Sequence, residues 1–292
     1  MKVLNFGSLN IDYVYTVDHI VQGGETISSE KTETFPGGKG LNQSIALAKA
    51  GVPVYHAGAV GEDGDMLLDL CRANGVDTRF IRRTEGRNGH TVIQVDKNGQ
   101  NCILLFGGSN QKQTKEHIDE VLGHFEASDM LVLQNEVNNL DYLIDRAYER
   151  GMVIVLNPSP FDDKLKACDM TKVTYFLVNE VEAEQMTGES DSAKQPDKLL
   201  EAYPNGKFVL TMGSRGSLYK DSQQEYHQDI YKVKALDTTA AGDTFTGFFL
   251  AAVLEGRAIP EALDEAARAS AIAVSRPGAS SSIPTAEEVK NF

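Results

Sequence analysis

Short apolar or β-branched runs alternate along this chain with longer stretches of helical period, and that alternation narrows the possible folds more than any other feature. Residues 3–6, 54–59, 130–133, 153–156, 175–178 and 208–211 read as buried strands. Between them, helical stretches at 44–50, 65–73 and 140–150 run into Gly51, Asn74-Gly75 and Gly151, where a helix C-terminus favours a left-handed residue. Strand, helix and strand in succession predict an α/β fold with a Rossmann-like, mostly parallel sheet and helices on both faces.

Two segments depart from the rhythm. Residues 91–96 and 101–106 are β-rich and flank Asn98-Gly99, a pair that favours the tight type I′ hairpin. Residues 13–35 are rich in Val, Thr and Ile without a helical stripe, and also read as strands outside the main sheet. Segments of approximately 13–35 and 90–107 are therefore expected to form a small β-sheet lid on one domain spanning 1–292, a length that buries one large core. No internal repeat or long linker interrupts it, and 189–196 and 279–284 read as polar loops.

Charge and cysteine usage exclude some partners. There are 28 basic against 42 acidic residues, a formal net charge of −14, and the resulting field disfavours nucleic acid and anionic membrane surfaces. Cys71, Cys102 and Cys168 form no Cys-x-x-Cys pair, an odd and sparse set that suits a reducing compartment. The opening residues 1–7 are too interrupted for a signal-peptide core, and the apolar run 248–254 is far below the roughly 20 residues a membrane helix needs. A cytoplasmic location is expected. The histidines show no metal-ligand spacing, and no serine or cysteine nucleophile motif is present.

Two motifs carry chemistry. Pro36-Gly37-Gly38-Lys39-Gly40-Leu41-Asn42 is a glycine-rich turn leading into a helix: Gly38 admits close backbone approach, Lys39 supplies a cation, and Asn42 both donates and accepts hydrogen bonds. It lacks the Gly-Lys-[Ser/Thr] ending of a Walker A loop, and a glycine-rich turn read alone is more often just a turn than a site. Asp237-Thr238-Thr239-Ala240-Ala241-Gly242-Asp243-Thr244-Phe245 then precedes a helix expected over 246–254. Small residues there expose N–H groups at the positive end of a helix dipole, which suits a transferring phosphoryl group. Asp243 is placed to accept a proton from an attacking hydroxyl, and equally placed to act as a helix N-cap.

These motifs resemble the paired signatures of the ribokinase family of carbohydrate kinases, and further fragments follow in the family's order from about Gly7 to Ser282. The resemblance implies a sugar site formed by Asn10, Asp12, Gly38, Lys39, Asn42, Glu136 and the base Asp243, with D-ribose as the expected acceptor. It implies an ATP site at Asn179, Thr211, Gly213, Ser214, Gly216, Ala241 and Gly242, with Mg²⁺ ordered through water by Glu182 of the Asn-x-x-Glu motif. It also implies a K⁺ site ringed by Asp237, Thr239, Ala273, Arg276, Gly278 and Ser282, several of them through backbone oxygens, and a homodimer joined through the lid. Locally, Asn10 and Asp12 read equally well as turn caps, Glu136 as a surface carboxylate and Asn179 as a helix start.

Two departures bear on specificity: Ala267 stands where relatives place Asn or His beside the base, and Asn135 precedes Glu136 where an apolar residue is expected. Arg82, Arg83, Arg87 and His90 beside the lid leave open a phosphosugar acceptor. A nucleoside acceptor and a non-catalytic sugar sensor on the same fold stand as further alternatives.

Overall fold

The structure is a computed structural model describing residues 1–292. The chain opens with β1 (Val3–Phe6), β2 (Asn10–Thr16), β3 (Lys31–Gly37), α1 (Lys39–Lys49), β4 (Val54–Val60), α2 (Asp65–Ala73) and β5 (Asp77–Arg83). It continues through β6 (Gly89–Val95), β7 (Asn101–Phe106), α3 (Lys115–Leu122), β8 (Met130–Gln134), α4 (Leu140–Glu149), β9 (Val153–Asn157), β10 (Tyr175–Asn179), α5 (Glu180–Thr187) and α6 (Gln195–Ala202). It closes with β11 (Lys207–Thr211), β12 (Ser217–Lys220), β13 (Glu225–Gln228), α7 (Ala241–Leu254), α8 (Ile259–Val274) and α9 (Ala286–Lys290). Nine strands form one sheet in the order β13-β12-β11-β10-β9-β8-β1-β4-β5, parallel except at one edge, where β12 runs antiparallel to both β11 and β13.

The central strands bury both faces because successive side chains point to opposite sides. Val3, Tyr175, Leu177 and Val209 join a core of 34 buried residues with α1, α2, α7 and α8, whereas Leu4, Phe176, Val178 and Leu210 join one of 26 with α3 to α6. Gly51, Gly75 and Gly151 adopt φ of +93°, +76° and +73°, the left-handed stops expected after their helices. No helix is long and apolar enough to cross a membrane.

Helix α7 is buried along 243–252 because it lies between α1 and α8. Gly247 makes this approach possible: a Cβ there would sit 2.4 Å from that of Ala46. One turn earlier on each helix, Asp243 meets Asn42 and Gln43. The two helices therefore run parallel, with their N-termini together beyond the carboxyl ends of the strands, where open α/β sheets bind ligands.

A second sheet, β3-β2-β6-β7, stands apart from the first. Its strands begin nearer the cleft than the 13–35 and 90–107 expectation, so Asn10 and Asp12 belong to the lid itself. The hairpin also differs from the expected type I′ turn. Asp96 N–H bonds Gln100 C=O at 2.9 Å, leaving a three-residue loop in which Gly99 alone is left-handed at φ +77°. The Asp96 carboxylate accepts the N–H groups of Asn98 and Gln100 at 2.8 and 2.9 Å, and this local anchor displaces the tighter turn.

Candidate active site

Asp243 does not cap its helix. Helix α7 begins at Ala241, ahead of the expected 246, with Ala240 at the cap position and Asp243 in the first turn. Its carboxylate accepts Asn42 Nδ2–H at 3.0 Å and Gln43 Nε2–H at 2.9 Å. Those two amides belong to α1, so the apposition of α1 and α7 aims the carboxylate.

Lys39, the first residue of α1, shares this corner. Burial works against its charge, but the carboxylates of Asp243, Glu136 and Glu182 outweigh that cost and hold its pKa above the usual lysine value. Glu136 is no surface carboxylate: it accepts the Lys39 backbone N–H at 3.0 Å and the Ser8 hydroxyl, closing the start of a helix whose cap, Gly38, has no side chain. Burial raises its pKa despite the Lys39 charge. Asn10 accepts Asn110 Nδ2–H at 2.7 Å, and Asp12 accepts the Thr91 hydroxyl at 2.5 Å while burial raises its pKa. Gly37 is needed at this point because a Cβ would meet Asp12 Oδ2 at 1.9 Å; the close approach is to the lid carboxylate.

On the other side of Asp243 lie two adjoining cavities. One, of about 230 Å³, is walled by Lys39, Asn157, Asn179, Glu182, Gly242 and Asp243. Asn179 is a helix start, as one reading allowed: Asn179 and Glu182 form a reciprocal capping box, with bonds of 2.9 and 3.0 Å, at the head of α5. The other, of about 560 Å³, holds Gly213, Ser214 and Gly216 on one side and Ile230, Val233, Ala267 and Val274 on the other. Thr211, Ala241 and Gly242 line both, which makes the pair a continuous trough. Ala241 N–H contacts Thr238 C=O at 3.2 Å, whereas no backbone bond to Gly242 N–H is formed, leaving that donor at the dipole's positive end.

The six residues assigned to a monovalent cation lie on two stretches, Asp237 and Thr239 before α7, and Ala273, Arg276, Gly278 and Ser282 at the end of α8 and after it. Asp237 accepts the N–H groups of Thr239 and Gly278, both at 2.9 Å, tying its loop to the one after α8. Burial opposes its charge, but these bonds win and hold its pKa below the usual range. Arg276 N–H bonds Ala273 C=O at 3.1 Å while its guanidinium pairs with Glu288, and Ser282 Oγ donates to Ala279 C=O at 2.7 Å.

Three members of the basic cluster beside the lid are engaged elsewhere: Arg82 donates to Lys112 C=O at 2.8 Å, Arg83 pairs with Asp65, and His90 packs against Tyr13 and Phe106, whereas the exposed Arg87 makes no side-chain hydrogen bond or ion pair. Asn135 faces away from the site, its amide donating to Pro160 C=O and Asp162. The residue reading missed Ser8, Gln43, Asn110 and Asn157. Asn157 carried a signal, a polar residue ending an apolar strand just as Asn179 does; Gln43 showed none beyond adjacency to Asn42.

A profile of pfkB family carbohydrate kinases matches residues 1–286. Ribokinase of Staphylococcus aureus is 33% identical over 302 residues, covering 99% of this chain and 98% of that protein. Among solved structures, ribokinase of Thermotoga maritima superposes with a TM-score of 0.89 at 34% identity, covering 100% of this chain and 98% of its own. Arabidopsis thaliana ribokinase complexed with ribose and ATP does so with a TM-score of 0.86 at 27% identity, covering 99% and 97%.

Proposed function

The chain belongs to the pfkB family of carbohydrate kinases, phosphotransferases with an alcohol acceptor, and from that premise we propose that it is an ATP-dependent ribokinase converting D-ribose to D-ribose 5-phosphate. The observation that carries this reading is the Asp243 carboxylate, held by Asn42 and Gln43 where a hydroxyl-binding corner meets an open trough. Sugar hydroxyls would bond Asn10, Asp12, Asn42 and Glu136, whose donors and acceptors reject analogues that leave them unpaired. ATP would lie along the trough with its base between the 213–216 loop and Ala267 and its phosphates near Asn179 and Gly242. Asp243 would take the proton of the primary hydroxyl, while Lys39 and the Gly242 N–H stabilise charge on the transferring group.

Mg²⁺ would be held by the ATP phosphates and, through water, by Glu182, supplying countercharge to the phosphoryl oxygens. An ionised Asp237, tied by the Thr239 and Gly278 N–H groups to the loops before α7 and after α8, would suit K⁺, a hard cation taking oxygen ligands, whose binding would stiffen the loop entering α7. The lid edge β7 exposes Ile103 to Phe106, apolar side chains 44–70% exposed, and this supports a homodimer through the lid. Light scattering at micromolar concentration should give twice the 31.8 kDa chain mass; a monomer would exclude it. Three free cysteines suit a cytoplasmic setting.

The deciding assay is ADP release with Mg-ATP and K⁺ across ribose, 2-deoxyribose, fructose, their phosphates and several nucleosides. Ribose-selective turnover is expected. Preference for a phosphosugar or a nucleoside, or sugar binding without turnover, would overturn the reading.

A further inference from the structure

We propose that Gln43 is a positioning residue for the base and that a buried amide chain running down to a backbone carbonyl fixes which end of Gln43 faces Asp243. This rests on Asp243 acting as the base. Gln43 Oε1 accepts Gln134 Nε2–H at 2.6 Å, and the same nitrogen donates to Asn5 Oδ1 at 3.0 Å. Asn5 Nδ2 donates to Gly40 C=O at 2.8 Å and to Ser44 Oγ at 2.9 Å. Ser44 Oγ lies 2.7 Å from His56 Nδ1, and His56 Nε2 lies 3.3 Å from Gly7 C=O. Asn5, Gln43, Ser44, His56 and Gln134 are all 0–1% exposed.

The polarity of this chain follows from its ends. A backbone carbonyl only accepts, so Gly40 obliges Asn5 to present nitrogen to it and oxygen to Gln134. Gln134 must then offer nitrogen to Asn5 and to Gln43, and Gln43 must answer with oxygen. That leaves the Gln43 nitrogen, and never its oxygen, against Asp243 Oδ1. The His56 branch agrees: Gly7 C=O requires Nε2–H, which leaves Nδ1 to accept from Ser44. Asn42, the other partner of Asp243, has no such tether; its Oδ1 is unpartnered. Gln43 is thus the fixed donor of the two, and it holds the direction of the carboxylate.

Gln43→Met removes the donor and keeps the bulk. Expected is a fall of about 10- to 100-fold in kcat with KM for ribose nearly unchanged. Gln43→Glu keeps the shape as well, but its carboxyl bonds Asp243 only when protonated, so kcat/KM should decline as pH rises between 6 and 8. Folding of both is checked by thermal melts. Wild-type kcat and pH profile in either folded variant would overturn the proposal, as would a loss confined to KM. Asp243→Asn separates the premise: if it stays active the base assignment fails, and if it is inactive while Gln43→Met is unaffected, only the positioning role fails.

Discussion

The two ends of the trough beside Asp243 are built on opposite principles. At the head of α7, Lys39, Glu182 and Asp243 crowd a cavity of about 230 Å³, every one of them tied to a neighbour by charge or hydrogen bond. Toward α8 the cavity of about 560 Å³ is walled largely by Ile230, Val233, Ala235, Ala267, Ala271 and Val274. Charge development needs dipoles fixed in advance, so the first end requires particular groups at particular angles. Holding a flat apolar base needs only surface and space, so the second tolerates exchange.

Several substitutions would break or sharpen that contrast. Asp243→Asn should lower kcat by roughly 10² to 10⁴, read as initial ADP release, with little change in nucleotide binding. Lys39→Met removes the cation that the three carboxylates surround and should cost about 10²-fold in kcat/KM. At the apolar end, Ala267→Phe should raise KM for ATP about tenfold and leave saturated turnover near wild type; a comparable fall in kcat would erase the distinction.

An effect on stability rather than on turnover lies beneath the charged end. Burial depresses the His56 pKa from 6.5 to about 4, so the unfolded chain binds the extra proton between those values. Its contribution to stability is complete above pH 6.5 and is lost as pH falls toward 4, by up to about 3 kcal/mol. Urea midpoints measured across that window should fall more steeply in wild type than in His56→Gln, which does not titrate.

Legibility in the sequence followed the range of the interactions. The glycine-stopped helices were readable because a left-handed C-cap is decided within one turn. The Asn98-Gly99 turn was misread because Asp96, only two residues away, supplies a competing anchor. The start of α7 was placed too late, since the small residues 240–242 carry little helical signal of their own and precede the buried stretch that begins at Asp243. The Arg82 to His90 cluster looked like one patch in the chain, yet Arg82, Arg83 and His90 engage Lys112, Asp65 and Tyr13 and leave only Arg87 without a partner.

By itself the sequence determined the layered α/β plan, the two glycine-bearing motifs and the family they belong to, because period, turn chemistry and short motifs are properties of neighbouring residues. Only the tertiary structure decided what surrounds Asp243. Its partners Asn42 and Gln43 lie about 200 residues away and meet it because Gly247 lets α7 close on α1. The sense of the Gln43 amide is set lower still, by the Gly40 carbonyl acting through Asn5 and Gln134. No local pattern encodes such a chain: each bond is modest, and it is the cost of setting donor against donor or acceptor against acceptor inside a buried site that aligns them, even with Gln134 Oε1 left without a partner.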